Sequence, residues 1–161
     1  MRRPVMCVWT IAVVLVGLQA CSPQRSSPFE GAWELIEAKY TPPDPAFAFS
    51  EWRQIKLLTK THWAYLSQKR SSPKLTGLTN DVELLAAAKA FGAGGGTYTL
   101  NGDVYTEHIE FFSAPNYVSV SVPYKITWEG DEWIQTGTFP MKSLGLADHD
   151  QELYERYRRV K

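Results

Sequence analysis

Val118-Ser119-Val120-Ser121-Val122-Pro123-Tyr124-Lys125-Ile126-Thr127-Trp128-Glu129-Gly130-Asp131-Glu132-Trp133 is the stretch that decides the fold. Apolar side chains occupy every even position from Val118 to Trp128, and polar residues or proline fill the odd ones. Successive side chains of a strand point to opposite faces, so this period of two predicts a long strand with one buried and one wet face. Glu129-Gly130-Asp131 then marks a turn into a second strand. A two-residue loop at that turn places Trp133 and Gln135 on the face of Tyr124, Ile126 and Trp128.

The same pattern extends in both directions. Short segments rich in β-branched and aromatic residues lie near Ala32–Lys39, Arg53–Leu58, Thr61–Gln68, Gly96–Leu100, Val104–Phe112, Tyr117–Trp128, Glu132–Phe139 and Leu153–Val160. Each is bounded by turn residues, the signature of an antiparallel sheet. Leu100-Asn101-Gly102-Asp103 reads as a two-residue hairpin of the Asn-Gly type, with positive φ at both central positions. Eight such strands joined by hairpins close most simply into an up-and-down antiparallel barrel, which removes the exposed edges of an open sheet. The fold class expected is therefore all-β.

The main interruption is the insert 69–95. Asp81–Phe91 is dense in alanine and leucine, with Asn80 or Asp81 as a cap and Gly92 as a stop, and reads as one short helix. Gly92–Gly96 reads as a flexible run, and the insert is expected to cross or cap one mouth of the barrel. No Lys-Ser or Lys-Thr follows these glycines and a strand comes next, so they do not form a phosphate cradle. Tyr40–Ser50, with Pro42, Pro43 and Pro45, reads as a second loop.

Composition narrows the function classes. The chain has 161 residues, 44% of them hydrophobic and 21% charged, which suits one globular domain and excludes a disordered chain. Lys+Arg and Asp+Glu both number 17, so no global field would hold nucleic acid, and no nucleic-acid partner is expected. Arg2 and Arg3 precede an uncharged run from Val5 to Leu18, followed by Leu18-Gln19-Ala20-Cys21, the order of parts in a signal peptide. That run of about 14 residues falls short of the roughly 20 a membrane-spanning helix needs. Without residues 1–20 the chain has 15 basic and 17 acidic residues, net −2, and loses Cys7. Ser22 to Pro28 is polar and reads as a tether. The expected organisation is a signal at 1–20, a tether at 21–28 and a barrel at 29–161.

Two resemblances sharpen these expectations. Leu18-Gln19-Ala20-Cys21 resembles the bacterial lipoprotein cleavage box, which implies lipid attachment at Cys21, with acyl chains such as palmitate anchoring the protein to a membrane. Ser22, where inner-membrane lipoproteins often carry aspartate, implies the periplasmic face of the outer membrane. Gly31-Ala32-Trp33 at the start of the first strand has the Gly-x-Trp form of lipocalins, whose tryptophan plugs the closed end of a calycin-type barrel. That resemblance implies an arginine from the last strand packed across Trp33, here Arg158 or Arg159. The segments Gly95–Glu110 and Ile126–Trp133 are similar to lipocalin-like bacterial domains, and the resemblance spans about residues 29–161.

The candidate site residues are those whose side chains should face the lumen. Pairing across Asn101-Gly102 sets Tyr98 against Tyr105 and Gly96 against Glu107, so Tyr98, Leu100, Tyr105, Glu107, Ile109 and Phe111 share a face. Glu107 then needs a partner, since a buried carboxylate is costly unless it is paired or hydrogen-bonded. That partner is either part of a structural network or a ligand. Tyr124 and Gln135 complete the inward set. A two-residue loop at Thr59-Lys60 puts His62 with Ile55, Leu57, Ala64 and Leu66, whereas a one-residue bulge brings in Trp63 and Tyr65 instead. His108 and Glu110 point outward. The spacing of His62, His108 and His149 suggests no metal site, and no nucleophile–base arrangement or cofactor motif is recognisable. These residues predict a non-catalytic barrel that binds a small apolar or amphipathic molecule. The alternative is a solid barrel that docks on another envelope protein.

Overall fold

The computed structural model describes residues 27–43, 48–72 and 74–161. The expected signal segment, Cys21 and the tether as far as Ser26 lie outside the described residues, as does Pro45. The strands are β1 (Gly31–Thr41), β2 (Trp52–Leu58), β3 (His62–Lys69), β4 (Phe91–Asn101), β5 (Val104–Phe112), β6 (Ser121–Glu129), β7 (Glu132–Phe139) and β8 (Gln151–Arg159), with one helix, α1 (Asp81–Lys89). Each strand pairs antiparallel with the next, and β8 returns to β1, closing an eight-stranded barrel. This is the architecture the alternation predicts, and it is compatible with a lipocalin-like fold.

Strand β6 shows the cause most directly. Val122, Tyr124 and Ile126 are buried while Ser121, Pro123 and Lys125 are exposed. The strand starts at Ser121, because Pro115–Tyr117 forms a 3-10 turn and Ser119 has φ 70°. In the β6–β7 hairpin Trp128 faces Trp133 and Ile126 faces Gln135. Gly130, at φ 65°, takes the first of two loop positions, where a type II′ turn wants glycine.

The β4–β5 hairpin corrects the expected register. Asn101 pairs with Val104, so the loop is Gly102-Asp103 and positive φ is required only at Gly102. Tyr98 therefore faces Glu107, and Leu100 faces Tyr105. A displacement of two residues leaves every side chain on its expected face. Farther along, Gly96 faces Ile109 but Gly95 faces Phe111, so β5 bulges at Glu110. The bulge reverses parity, turning Phe112 inward and leaving Phe111 71% exposed, contrary to expectation.

The glycine run is also corrected. Gly92–Gly96 lies inside β4, paired with β3 from Ser67 to Trp63. A Cβ on Gly94 would come within 2.6 Å of the Phe112 ring and 2.7 Å of the Tyr65 ring, so glycine lets these aromatics cross the strand. Helix α1 is capped by Asn80, whose Oδ1 accepts from the Val82 and Glu83 amides. None of its residues is buried and none lines the lumen, so the helix does not cap the mouth.

One end of the barrel is closed by residues 27–33 folding across it. Phe29 is 1% exposed and packs edge-on against Trp133 and Tyr105, at centroid distances of 4.7 and 5.0 Å. Trp33 donates from Nε1 to the Phe29 carbonyl at 3.0 Å. Of the two candidate arginines, Arg159 lies over the Trp33 ring at 4.2 Å and donates to the Glu30 and Pro28 carbonyls. Arg158 instead points outward to Glu34. Gly31, at φ 138°, has a backbone conformation that L side chains rarely adopt, and a Cβ there would collide with the Arg159 guanidinium.

Candidate functional site

Above the aromatic plug the barrel holds a cavity of about 280 Å³. This lies just below the size of ligand pockets, which run about 300–1,000 Å³. Strands β2, β5, β7 and β8 bring Gln54 and Lys56, Glu107, Gln135 and Glu155 to its base, all of them buried. Aromatic rings from β3, β5, β7 and the 3-10 turn, including Tyr65, Phe112, Tyr117 and Phe139, form its upper wall.

The polar groups make one continuous hydrogen-bond network. Lys56 Nζ donates to Glu107 Oε1 at 2.8 Å and to Gln135 Oε1 at 2.9 Å. Gln135 Nε2 donates to Glu155 Oε2 at 2.7 Å. Lysine can only donate and an ionised carboxylate can only accept, so the orientation of the Gln135 amide is set by its neighbours. Tyr157 donates its hydroxyl to Glu155 Oε2 at 2.6 Å and accepts from Gln54 Nε2 at 3.0 Å. Tyr40 reaches Glu155 Oε1 at 2.9 Å, and Tyr105 donates to Glu107 Oε1 at 3.0 Å. The Lys56 ammonium also sits 5.0–5.7 Å from the ring centres of Tyr157, Trp133, Trp63 and Tyr105. Those quadrupoles favour a desolvated cation.

Burial pushes the Glu107 carboxyl up, against the opposing pull of Lys56 and the Tyr105 hydrogen bond. Burial, with the nearby Glu107 and Glu155 carboxylates, also pushes the Tyr105, Tyr124 and Tyr157 hydroxyls well up. They remain neutral donors at any physiological pH. Not every polar group of the lumen is satisfied. Both hydrogen bonds of Glu107 arrive at Oε1, the Gln54 bond uses only Nε2, and the buried Ser67 Oγ has no partner among the described residues.

Of the residues expected at the site, Glu107, Tyr124 and Gln135 line this cavity. Tyr105 lies beneath it and orients Glu107. Trp63 faces inward below Lys56, whereas Tyr98 sits near the closed end with its hydroxyl on the Thr59 carbonyl at 2.8 Å. His62 is corrected: it is exposed and held by the Thr61 hydroxyl, outside the barrel. It shares a face with Ile55, Leu57, Ala64 and Leu66, as the two-residue alternative describes, and that face is the outer one. His108 also lies outside, between Ser121 and Thr99.

Lys56, Gln54, Glu155 and Tyr40 were not anticipated. A parity signal existed for Glu155, because an Arg159 that packs on Trp33 places Tyr157, Glu155 and Leu153 on the inner face. No comparable signal marked β2, where the apolar Ile55 and Leu57 face out and the polar Gln54 and Lys56 face in. No protein-family model, curated protein or solved structure matches the chain.

Proposed function

We propose that this protein is a non-catalytic binding protein of the bacterial envelope whose barrel holds one small amphipathic molecule. Its polar end would sit on the Lys56–Glu107–Gln135–Glu155 network and its apolar end among the upper aromatic rings. The observation that carries the reading is an open cavity with a polar base, an apolar wall and acceptor oxygens of Glu107 and Gln54 left unused. Such a combination orients a ligand as well as enclosing it. The order of charge, apolar run and Cys21 supports a lipid anchor at that cysteine, and the Gly31-Ala32-Trp33 plug with Arg159 supports a lipocalin-like relationship.

Native mass spectrometry of the protein, purified without detergent from its host envelope, tests the binding reading. The expected result is a small molecule that leaves on activation. An apo mass unchanged after incubation with fatty acids, haem, lipid fragments and small aryl or alkyl amines refutes it. Loss of the protein from the membrane fraction on Cys21→Ser tests the anchor.

A second reading rests on the outer surface. Leu66, Phe91 and Phe111 are exposed there beside the side-chain-free glycines of β4, and form an apolar groove. A docking protein would protect their backbone amides from hydrogen exchange, while a ligand in the lumen would not.

A further inference from the structure

We propose that the lumen selects a cationic ligand, a small aryl or alkyl ammonium compound, over an anionic one such as a fatty acid. This rests on the binding reading above and names the head group it implies. Three observations lead there. The first is charge balance. The ionisable groups at the base of the cavity are the ammonium of Lys56 and the carboxyls of Glu107 and Glu155, so two acids face one base. Lys56 is already engaged by Glu107 and Gln135. Glu155 receives only neutral donors, from Tyr40, Gln135 and Tyr157, and no cation among the described residues reaches it. A buried carboxylate without a matching cation favours a bound cation, and a ligand carboxylate would add a third acid.

The second observation is the polarity of the unused atoms. Glu107 Oε2 and Gln54 Oε1 can only accept, and the bonds made at Glu107 Oε1 and Gln54 Nε2 leave them over. Glu107 and Gln54 line the cavity with these acceptors, whereas the indole donors Trp63 Nε1 and Trp133 Nε1, buried and without a partner among the described residues, belong to residues that do not line it. A primary ammonium brings three N–H donors to such a surface, whereas a carboxylate brings none.

The third is the wall. Phe112, Tyr117 and Phe139 pack with centroid separations of 4.7–6.3 Å, and Tyr65 lies 5.6 Å from Phe112. Aromatic walls suit an aryl group and also attract a cation. The cavity volume of about 280 Å³ is enough for a ring with a short arm.

The test uses three probes of nearly equal size: 2-phenylethylamine, 2-phenylethanol and 3-phenylpropanoate. Each is titrated into the purified full-length protein by calorimetry at neutral pH, on the wild type and on Glu155→Gln, with near-ultraviolet circular dichroism to confirm the variant's fold. The expected order is amine first, alcohol about tenfold weaker and carboxylate weakest, because a hydrogen bond to a charged group is about twice as strong as a neutral one. Glu155→Gln should remove most of the amine's lead over the alcohol. If the variant does not fold, the wild-type order alone decides. A carboxylate or alcohol that binds as well as the amine overturns the head-group inference and leaves the binding reading standing, as does an amine lead that Glu155→Gln does not touch. No binding of any probe up to about 10 mM, weaker than ordinary specific recognition, overturns both.

Discussion

Replacing Lys56 by methionine keeps the side chain's length and removes its charge, leaving Glu107 buried opposite a thioether. In the wild type the ammonium lies 2.8 Å from Glu107 Oε1, with the side chains of the pair 3% and 5% exposed. Removing one partner of such a buried pair typically costs about 3–5 kcal/mol, because the other charge stays desolvated. For a barrel of this size each kcal/mol moves the melting temperature by roughly 4 °C, so Lys56→Met should melt about 12–20 °C lower at neutral pH. The loss should depend on pH in a determined direction. Burial already raises the Glu107 carboxyl, and Lys56 is the main influence opposing that rise. Without Lys56 the folded-state value climbs further above the unfolded value of about 4.3. A raised carboxyl binds its proton more tightly when folded, so the variant gains stability as pH falls through the folded value and loses it as pH rises. The deficit measured by urea unfolding should therefore shrink between pH 7 and about pH 5. Lys56→Met with Glu107→Gln removes both charges, and should recover most of the stability and lose this pH dependence. A Lys56→Met deficit under about 1 kcal/mol at pH 7, or one that grows on acidification, would refute the buried pair.

Three further outcomes follow from the packing. Arg159→Ala removes the guanidinium over Trp33 and two carbonyl hydrogen bonds, and should cost about 1–3 kcal/mol in urea unfolding, while Arg158→Ala, on the exposed Glu34 pair, should stay within about 0.5 kcal/mol. Ser67→Ala deletes a buried hydroxyl without a partner among the described residues, and thermal unfolding should show it neutral or up to about 1 kcal/mol more stable. Gly94→Ala places a Cβ within 2.6 Å of Phe112 and should cost about 1–3 kcal/mol, read as a lower melting temperature with altered aromatic circular dichroism.

The parts of the fold that were legible in the sequence are those where local chemistry and burial agree. In β6 the apolar residues are the inward ones, and at Gly102 and Gly130 the turns need the residue that adopts positive φ. Readings failed where a long-range contact decides the matter. The glycines of β4 look flexible in isolation, and only the Tyr65 and Phe112 rings packed over Gly94 explain a strand without side chains. The bulge at Glu110 reverses the expected faces of Phe111 and Phe112, and no residue type announces it. Glu107 and Gln135 were found because each lies on an otherwise apolar face. Gln54 and Lys56 were missed because their strand inverts the usual rule, with Ile55 and Leu57 facing solvent.

That inversion bears on why the lumen is polar at all. A barrel that had only to fold could fill the positions of Gln54, Lys56, Glu107, Gln135 and Glu155 with aliphatic side chains. Buried ion pairs seldom stabilise more than well-packed apolar replacements of similar volume, and exchanging them often gains about 1–4 kcal/mol. Lys56 and Gln135 are bonded within the network, yet among the described residues no donor reaches Oε2 of Glu107, which lines the cavity. A network serving stability alone would close upon itself, since each buried group without a partner costs about 1–3 kcal/mol. On the binding reading proposed above, a donor group of the ligand completes that oxygen. An apolar replacement of all five residues should therefore raise thermal stability and abolish binding together. A redesign that lost stability would place the network with the fold instead.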